Sequence, residues 1–364
     1  MYFDLKTFAR VKAHQATHGA GTATWLLTAW QLCSLPLIHF SFRLDRWLHP
    51  EIERLPVRAP LFVTGNPRSG TTLLLDLLDH DPANACYSTY ELGLPSPTLR
   101  RLIPASFHQW AAGQLDRRFE SIQHIHPVGL DRPEEDEMLF MLLGNCGLIE
   151  WLFPCGPGLE DLRLSRFWEW PEAKRDRFGA FLHGCIQRLL WSRGSSRYVS
   201  KSPHFAGKID DLRRWYPDAR FVYLVRSPLE TIPSALSMVC GLWALSAPGR
   251  RPTAEALESV YRGLVALYRQ ADQSLRRLPP ESHLVVRYPD LMAQPLSTLE
   301  TIYEKFSLPW APELSSAMEV RLKSLESRPH AHRYQLGDFG ISRERIERDL
   351  GFILDRYQLG ACAS

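Results

Sequence analysis

The chain is poor in lysine. Of its 43 Lys and Arg residues, seven are Lys, at positions 6, 12, 174, 201, 208, 305 and 323. A Lys beside an anion-binding motif therefore stands out. Cysteine is sparse too. Its seven residues are odd in number and form no C-x-x-C pair. That argues against a disulfide framework or a zinc site, and for reduced thiols in a cytoplasmic compartment. The net charge of +3 is too mild to call for a nucleic-acid partner. There are no internal repeats and no low-complexity tract. No secretory leader is expected, because no short basic region runs directly into an apolar stretch and a cleavage site. Apolar runs of membrane-spanning length are missing as well. The nearest approach, Thr24 to Phe42, contains Gln31, Pro36 and His39 and is followed by Arg43 and Arg46. A spanning helix needs about 20 residues with few polar groups. This stretch reads instead as a helix broken at Pro36 and packed on the domain, with peripheral membrane contact as the alternative.

What is present supports a large α/β enzyme. With 45% hydrophobic residues, the 364-residue chain can bury one large core or two smaller ones. An apolar run, Leu61 to Val63, ends in a Gly-rich turn, and Leu73 to Leu78 opens a helical pattern. Gly65 and Gly70 occupy the glycine positions of a G-x-x-x-x-G phosphate loop, which requires this strand–loop–helix context. Backbone N–H groups at such a helix start face an anion. The usual Lys after the second glycine is replaced by Thr71, and the positive charge sits inside the loop at Arg68.

Two further β-type runs, Arg197–Lys201 and Arg220–Arg226, flank a helix expected over roughly 204–216, and β-α-β spacing argues for a parallel sheet. Arg226 stands at the carboxyl end of its strand, where α/β sheets place ligands. Ser234 lies two turns into the following helix. An Arg fork with a hydroxyl suits a terminal phosphate. Alternating strands and helices predict an α/β, P-loop-type three-layer domain over 56–358, with a central parallel sheet, helical insertions and a helical N-terminal extension over 1–55.

These residues carry a resemblance. Val63-Thr64-Gly65-Asn66-Pro67-Arg68-Ser69-Gly70-Thr71-Thr72 resembles the 5′-phosphosulfate loop of sulfotransferases. The run Phe221–Pro228 with Ser234 resembles their 3′-phosphate motif. Lys201-Ser202-Pro203, Val286–Leu291 and Tyr334–Gly340 fall in the order of a bacterial branch of that family, and the resemblance covers roughly 60–355. It implies 3′-phosphoadenosine 5′-phosphosulfate as donor, no metal, and transfer to an acceptor hydroxyl or amine on a lipid, sugar, small alcohol or peptide. Pro67, Arg68, Ser69, Gly70, Thr71 and Thr72 would hold the 5′ end. Arg226 and Ser234 would hold the 3′-phosphate, and Tyr288 would line the adenine side. Arg68 and Lys201 would face the sulfuryl group. Two alternatives are a kinase on a related loop and a nucleotide-binding module without turnover.

The resemblance implies Glu91 as the general base, because it falls where several branches of the family carry a Glu; His204 and the acid cluster Glu134, Glu135 and Asp136 are the alternatives. The pairs His124/His126 and His330/His332 lack nearby ligands in metal spacing. His332 and Arg333 could approach the donor. Leu148, Trp151, Leu152, Phe153, Trp243 and Leu245 are bulky candidates for an apolar acceptor pocket.

Overall fold

Short β-branched and aromatic runs ending in Gly, Lys or Arg become the strands, and the stretches between them become helices. The computed structural model describes residues 3–17, 22–120, 129–152, 159, 162–246, 249, 251–310, 314–315, 318 and 336–360. Two helices come first, α1 (Leu5–Thr17) and α2 (Thr22–Leu48). Then follow β1 (Leu61–Gly65), α3 (Thr71–Leu78), a two-residue β2 (Asn84–Ala85), α4 (Thr89–Gly93), α5 (Pro97–Leu102) and α6 (Ala105–Phe119). Two single-turn helices, α7 (Glu137–Met141) and α8 (Leu148–Leu152), precede the long α9 (Glu172–Arg193). The rest runs β3 (Arg197–Lys201), α10 (Ile209–Trp215), β4 (Arg220–Val225), α11 (Pro228–Ser246), α12 (Ala254–Leu275), β5 (His283–Arg287), α13 (Tyr288–Ala293) and α14 (Pro295–Lys305). A last helix spans Arg343–Arg356.

The strands pair in the order β2-β3-β1-β4-β5, and every pairing is parallel. Side chains alternate across β1. Phe62 packs with Tyr198, Phe205 and Phe221 under α9 to α12, whereas Leu61 and Val63 pack with Val222, Leu74, Leu75 and Ile302 under α3 and α14. Helices on both faces bury the sheet twice, as a parallel sheet requires. The expected three-layer domain is the observed one.

Some boundaries differ. The helix α2 does not break at Pro36 but runs through it. Proline removes one backbone donor, and tertiary packing holds the remaining turns. Likewise α11 continues through Pro233 to Ser246. The helix expected over 204–216 is a 3-10 turn, Pro203–Gly207, followed by α10.

The N-terminal helices are tied to the domain by a buried charge. On α2, Asp45 is fully buried and accepts hydrogen bonds from Arg188 Nε (2.8 Å), Ser96 Oγ (2.8 Å) and Thr98 N (3.1 Å). The Arg188 guanidinium also lies 4.0 Å from the Phe42 ring centroid. Each charge is left with several partners, the condition under which a buried ion pair is tolerated.

Candidate functional site

The phosphate loop joins β1 to α3 at the carboxyl edge of the sheet. Its two glycines are required by close approach. A Cβ at Gly65 would meet Leu224 O, and one at Gly70, whose φ is +96°, would lie 2.7 Å from the Tyr288 ring. Between them Arg68 adopts φ +70°, a left-handed conformation uncommon outside glycine. Ser69 Oγ is buried and has no hydrogen-bond partner among the described residues. A buried hydroxyl left without a partner in a loop that precedes a helix start fits an anion.

The second motif meets the first. Arg226 Nη1 donates to the carbonyl oxygen of Arg68 at 3.2 Å, and Arg226 lies 4.2 Å from the Tyr288 ring centroid. Its Nε donates to Glu230 at 2.6 Å. From the loop, Arg68 Nε donates to Ser234 Oγ at 3.1 Å, and Arg68 also contacts Met238 Sδ. Arg68, Arg226, Ser234 and Tyr288 thus form one cluster. The Arg68 guanidinium meets α11, while Lys201, with which it was expected to share the sulfuryl group, pairs elsewhere.

Lys201 lies on the other side of β1, in register with Val63. It is fully buried, and Nζ bonds Glu135 at 3.0 Å and Glu134 at 3.2 Å. Burial disfavours its charge, but Glu135 and Glu134 outweigh that and raise its pKa. The acid segment is stitched to the strand ends: Glu134 N donates to Tyr87 O (2.9 Å) and Asp136 N to Lys201 O (3.1 Å). Asp136 is itself buried, and burial pushes its carboxyl up to about 7, although Tyr198 OH donates to it at 2.6 Å.

His204 follows on the 3-10 turn. It is buried, its ring is edge-on to Trp151 at 5.6 Å, and Nδ1 has no partner among the described residues. Burial lowers its pKa to about 4, while Glu135 acts in the opposite direction. Lys208 anchors the end of that turn. Its Nζ bonds Glu137 (2.9 Å) and His204 O (3.2 Å), amid the rings of Phe140, Phe167 and Phe205. Glu137 also accepts from Gly147 N at 3.1 Å, and a side chain at Gly147 would strike the His204 ring. Lys208, Glu137 and Gly147 carry no sequence motif: Lys208 is one of the scarce lysines, but Glu137 lies 71 residues from Lys208 and 10 from Gly147.

Glu91 stands on α4, whose start is joined to the segment before the acids: Thr89 N donates to Arg132 O at 3.0 Å. Glu91 closes a capping box with Ser88 and takes Arg193 at 2.8 and 3.1 Å. Arg100 stands 3.8 Å away. The hydrogen bonds and ion pairs recorded for Glu91 go to these residues, none of them to Lys201 or the phosphate loop. His124, His126, His330, His332, Arg333, Phe153 and the side chain of Leu245 lie outside the described residues. Among the described residues, no group of three or more His, Cys, Asp or Glu could hold a metal ion.

The strand–loop–helix opening and a second Arg-bearing strand end on a parallel sheet define a P-loop-like α/β anion-binding protein. The chain belongs to the sulfotransferase family, whose model matches residues 60–312. The reaction is therefore sulfuryl transfer, and the kinase alternative falls. Among curated relatives, omega-hydroxy-beta-dihydromenaquinone-9 sulfotransferase Stf3 of Mycobacterium bovis is 24% identical over 304 residues, spanning 82% of this chain and 74% of that one. Sulfotransferase STF1 of Mycobacterium tuberculosis H37Rv shares the fold, with a TM-score of 0.76 and 22% identity over 95% of this chain and 91% of that chain. Sulfotransferase STF9 of Mycobacterium avium does likewise, with a TM-score of 0.71 and 21% identity over 87% and 81%.

Proposed function

We propose that the chain takes its sulfuryl group from 3′-phosphoadenosine 5′-phosphosulfate and passes it to a hydroxyl on an apolar, lipid-type acceptor. When bound, the donor supplies an activated sulfuryl group on a phosphate leaving group. The observation that carries this reading is the pair of linked anion sites. The loop Pro67–Thr72 offers helix-start amides and the Ser69 hydroxyl. Arg226, Ser234 and Arg68 offer a cationic fork and a hydroxyl one strand away, with Tyr288 between the two. One ligand with a phosphate at each end suits both.

Lys201 sits beside the loop with its charge enforced by Glu134 and Glu135, positioned to stabilise negative charge at the 5′ end. His204 takes the acceptor proton. Its depressed pKa keeps the imidazole neutral at pH 7, and Glu135 favours the imidazolium that would form. The reading rests on a neutral imidazole beside Trp151 whose Nδ1 has no hydrogen-bond partner among the described residues. The capping box and the pair with Arg193 support a structural role for the Glu91 carboxylate instead. A lipid-type acceptor is supported by Trp151 beside His204 and by the lipid named for the Mycobacterium bovis relative. Peripheral membrane contact through 24–42 suits such an acceptor.

The test is a thermal shift with 3′,5′-adenosine bisphosphate against ATP–Mg²⁺, followed by an acceptor screen with radiolabelled donor. Stabilisation by ATP alone would sink the donor assignment. Nucleotide binding without turnover on prenyl alcohols, fatty alcohols, sugars, phenols or peptides would restore the silent-module reading. His204→Gln should lower kcat by about 10²–10⁴ at unchanged donor affinity. Full turnover in that variant would remove His204 as base.

A further inference from the structure

The long helix before the first strand is apolar on both faces. On α2 the buried residues facing the protein include Leu35 and Ile38 together with Gln31, Ser34, Ser41 and Asp45. Those facing solvent include Leu26 (71% exposed), Phe40 (62%), Trp47 (77%), Leu32 and Leu37. A surface helix in water keeps its outer face polar. Contiguous exposed apolar surface of this kind marks an interaction site.

The charges on the helix identify the partner. Its charged residues are Arg43, Asp45 and Arg46. Asp45 is fully buried against Arg188, so the helix itself exposes only cations. Glu53, beyond the helix end, bonds Arg46 at 2.6 Å. Beside this face opens a cleft of about 830 Å³ between α2, Phe3 and α9, lined by Leu32, Pro36 and Phe40, with Arg43, Arg46 and Glu53 also on its wall. Apolar side chains with interfacial Trp and flanking Arg are the composition of a helix lying in a lipid headgroup layer. None of the helices among the described residues is long and apolar enough to cross a membrane, and α2 is pinned along the protein by Asp45.

We propose that the outer face of α2 is a docking surface for an anionic phospholipid bilayer, with the helix lying parallel to the membrane plane. This goes beyond the transferase reading and does not depend on the donor site.

The experiment is co-sedimentation of the full chain with phosphatidylcholine vesicles, with and without phosphatidylglycerol. Binding should be about tenfold stronger with the anionic lipid. Leu37→Glu with Phe40→Glu should abolish it, and Arg43→Glu with Arg46→Glu should remove the preference for phosphatidylglycerol. Both variants should keep the wild-type melting temperature and the thermal shift with 3′,5′-adenosine bisphosphate. Absence of vesicle binding by the wild type overturns the proposal. So does undiminished binding by the Leu37→Glu/Phe40→Glu variant, or equal binding to both vesicles. A concentration-dependent dimer that the same variant dissolves, without vesicle binding, overturns it in favour of a second copy of this chain. A missing nucleotide shift with intact vesicle binding would count against the donor assignment alone.

Discussion

The Arg226 guanidinium donates from Nη1 to the carbonyl oxygen of Arg68 at 3.2 Å. That bond would couple the two proposed anion sites. Arg68 is held in a left-handed turn that costs on the order of 1 kcal/mol for a non-glycine residue, and Arg226 helps to hold it. Arg226→Lys keeps the charge but loses the fork. Affinity for 3′,5′-adenosine bisphosphate should fall by about 10- to 100-fold, or about 1.5–3 kcal/mol. Isothermal titration against 5′-AMP separates the effects. An unchanged preference for the 3′-phosphate would refute the assignment.

Glu91 should matter for stability and little for turnover. Glu91→Gln removes a carboxylate that pairs with Arg193 and caps α4. A loss of about 1–2 kcal/mol is expected, read as a lower urea midpoint. The rate per folded enzyme should stay within about twofold, against the 10²–10⁴ loss expected for a missing base. A large loss of kcat with a normal urea midpoint would return Glu91 to the mechanism.

The pair Asp45 and Arg188 fastens α2 to the domain. Asp45→Ala leaves the buried guanidinium without its carboxylate, which costs about 3–5 kcal/mol. Limited proteolysis should then cut first within residues 22–48. A variant as stable as the wild type and equally resistant would show that this charge does not dock the helix.

Asp136 gives stability a pH dependence. Burial lifts its carboxyl from 3.8 to about 7. Between those values the folded protein keeps a proton that the unfolded chain has released. The native state then binds more protons, so this group's contribution to stability falls as pH rises from about 4 to about 7 and is level above that. Asp136→Asn removes the titration. Urea midpoints at pH 4.5, 6.0 and 7.5 should shift in favour of the variant as pH rises. Parallel curves would mean that Asp136 is ionised in the fold.

The proposed mechanism draws its charge from Arg68, Arg226 and Lys201. Turnover should therefore be unchanged by EDTA. A loss of activity that Mg²⁺ or Zn²⁺ restores would require a metal step.

Much of the frame was legible because its signals are local. The runs at 61–65, 197–201, 220–225 and 283–287 are apolar or β-branched and end abruptly, and all four are strands. The two-residue β2 carries too little sequence to announce itself. Proline at 36 and 233 marks a missing donor, but packing decides whether the helix survives. The site was legible as a set of motifs, not as a geometry. No spacing rule shows that Arg68 meets Ser234, 166 residues away. Nor does one show that Glu91 faces Arg193 across 102 residues. Pairings at such separations are settled by the fold.

The strand order divides labour along the sheet. Taken from β1, the cationic cluster of Arg226, Ser234 and Tyr288 lies toward β4 and β5, while Lys201, the acids and His204 lie toward β3. The chain between α3 and β3 brings Glu134, Glu135 and Asp136 to the second side, while Lys201 and His204 come from β3 and the turn after it. Exchange of the segment between residues 83 and 193 with that of a relative, Glu134 and Glu135 retained, should change which molecule is sulfated and leave the grip on the nucleotide intact.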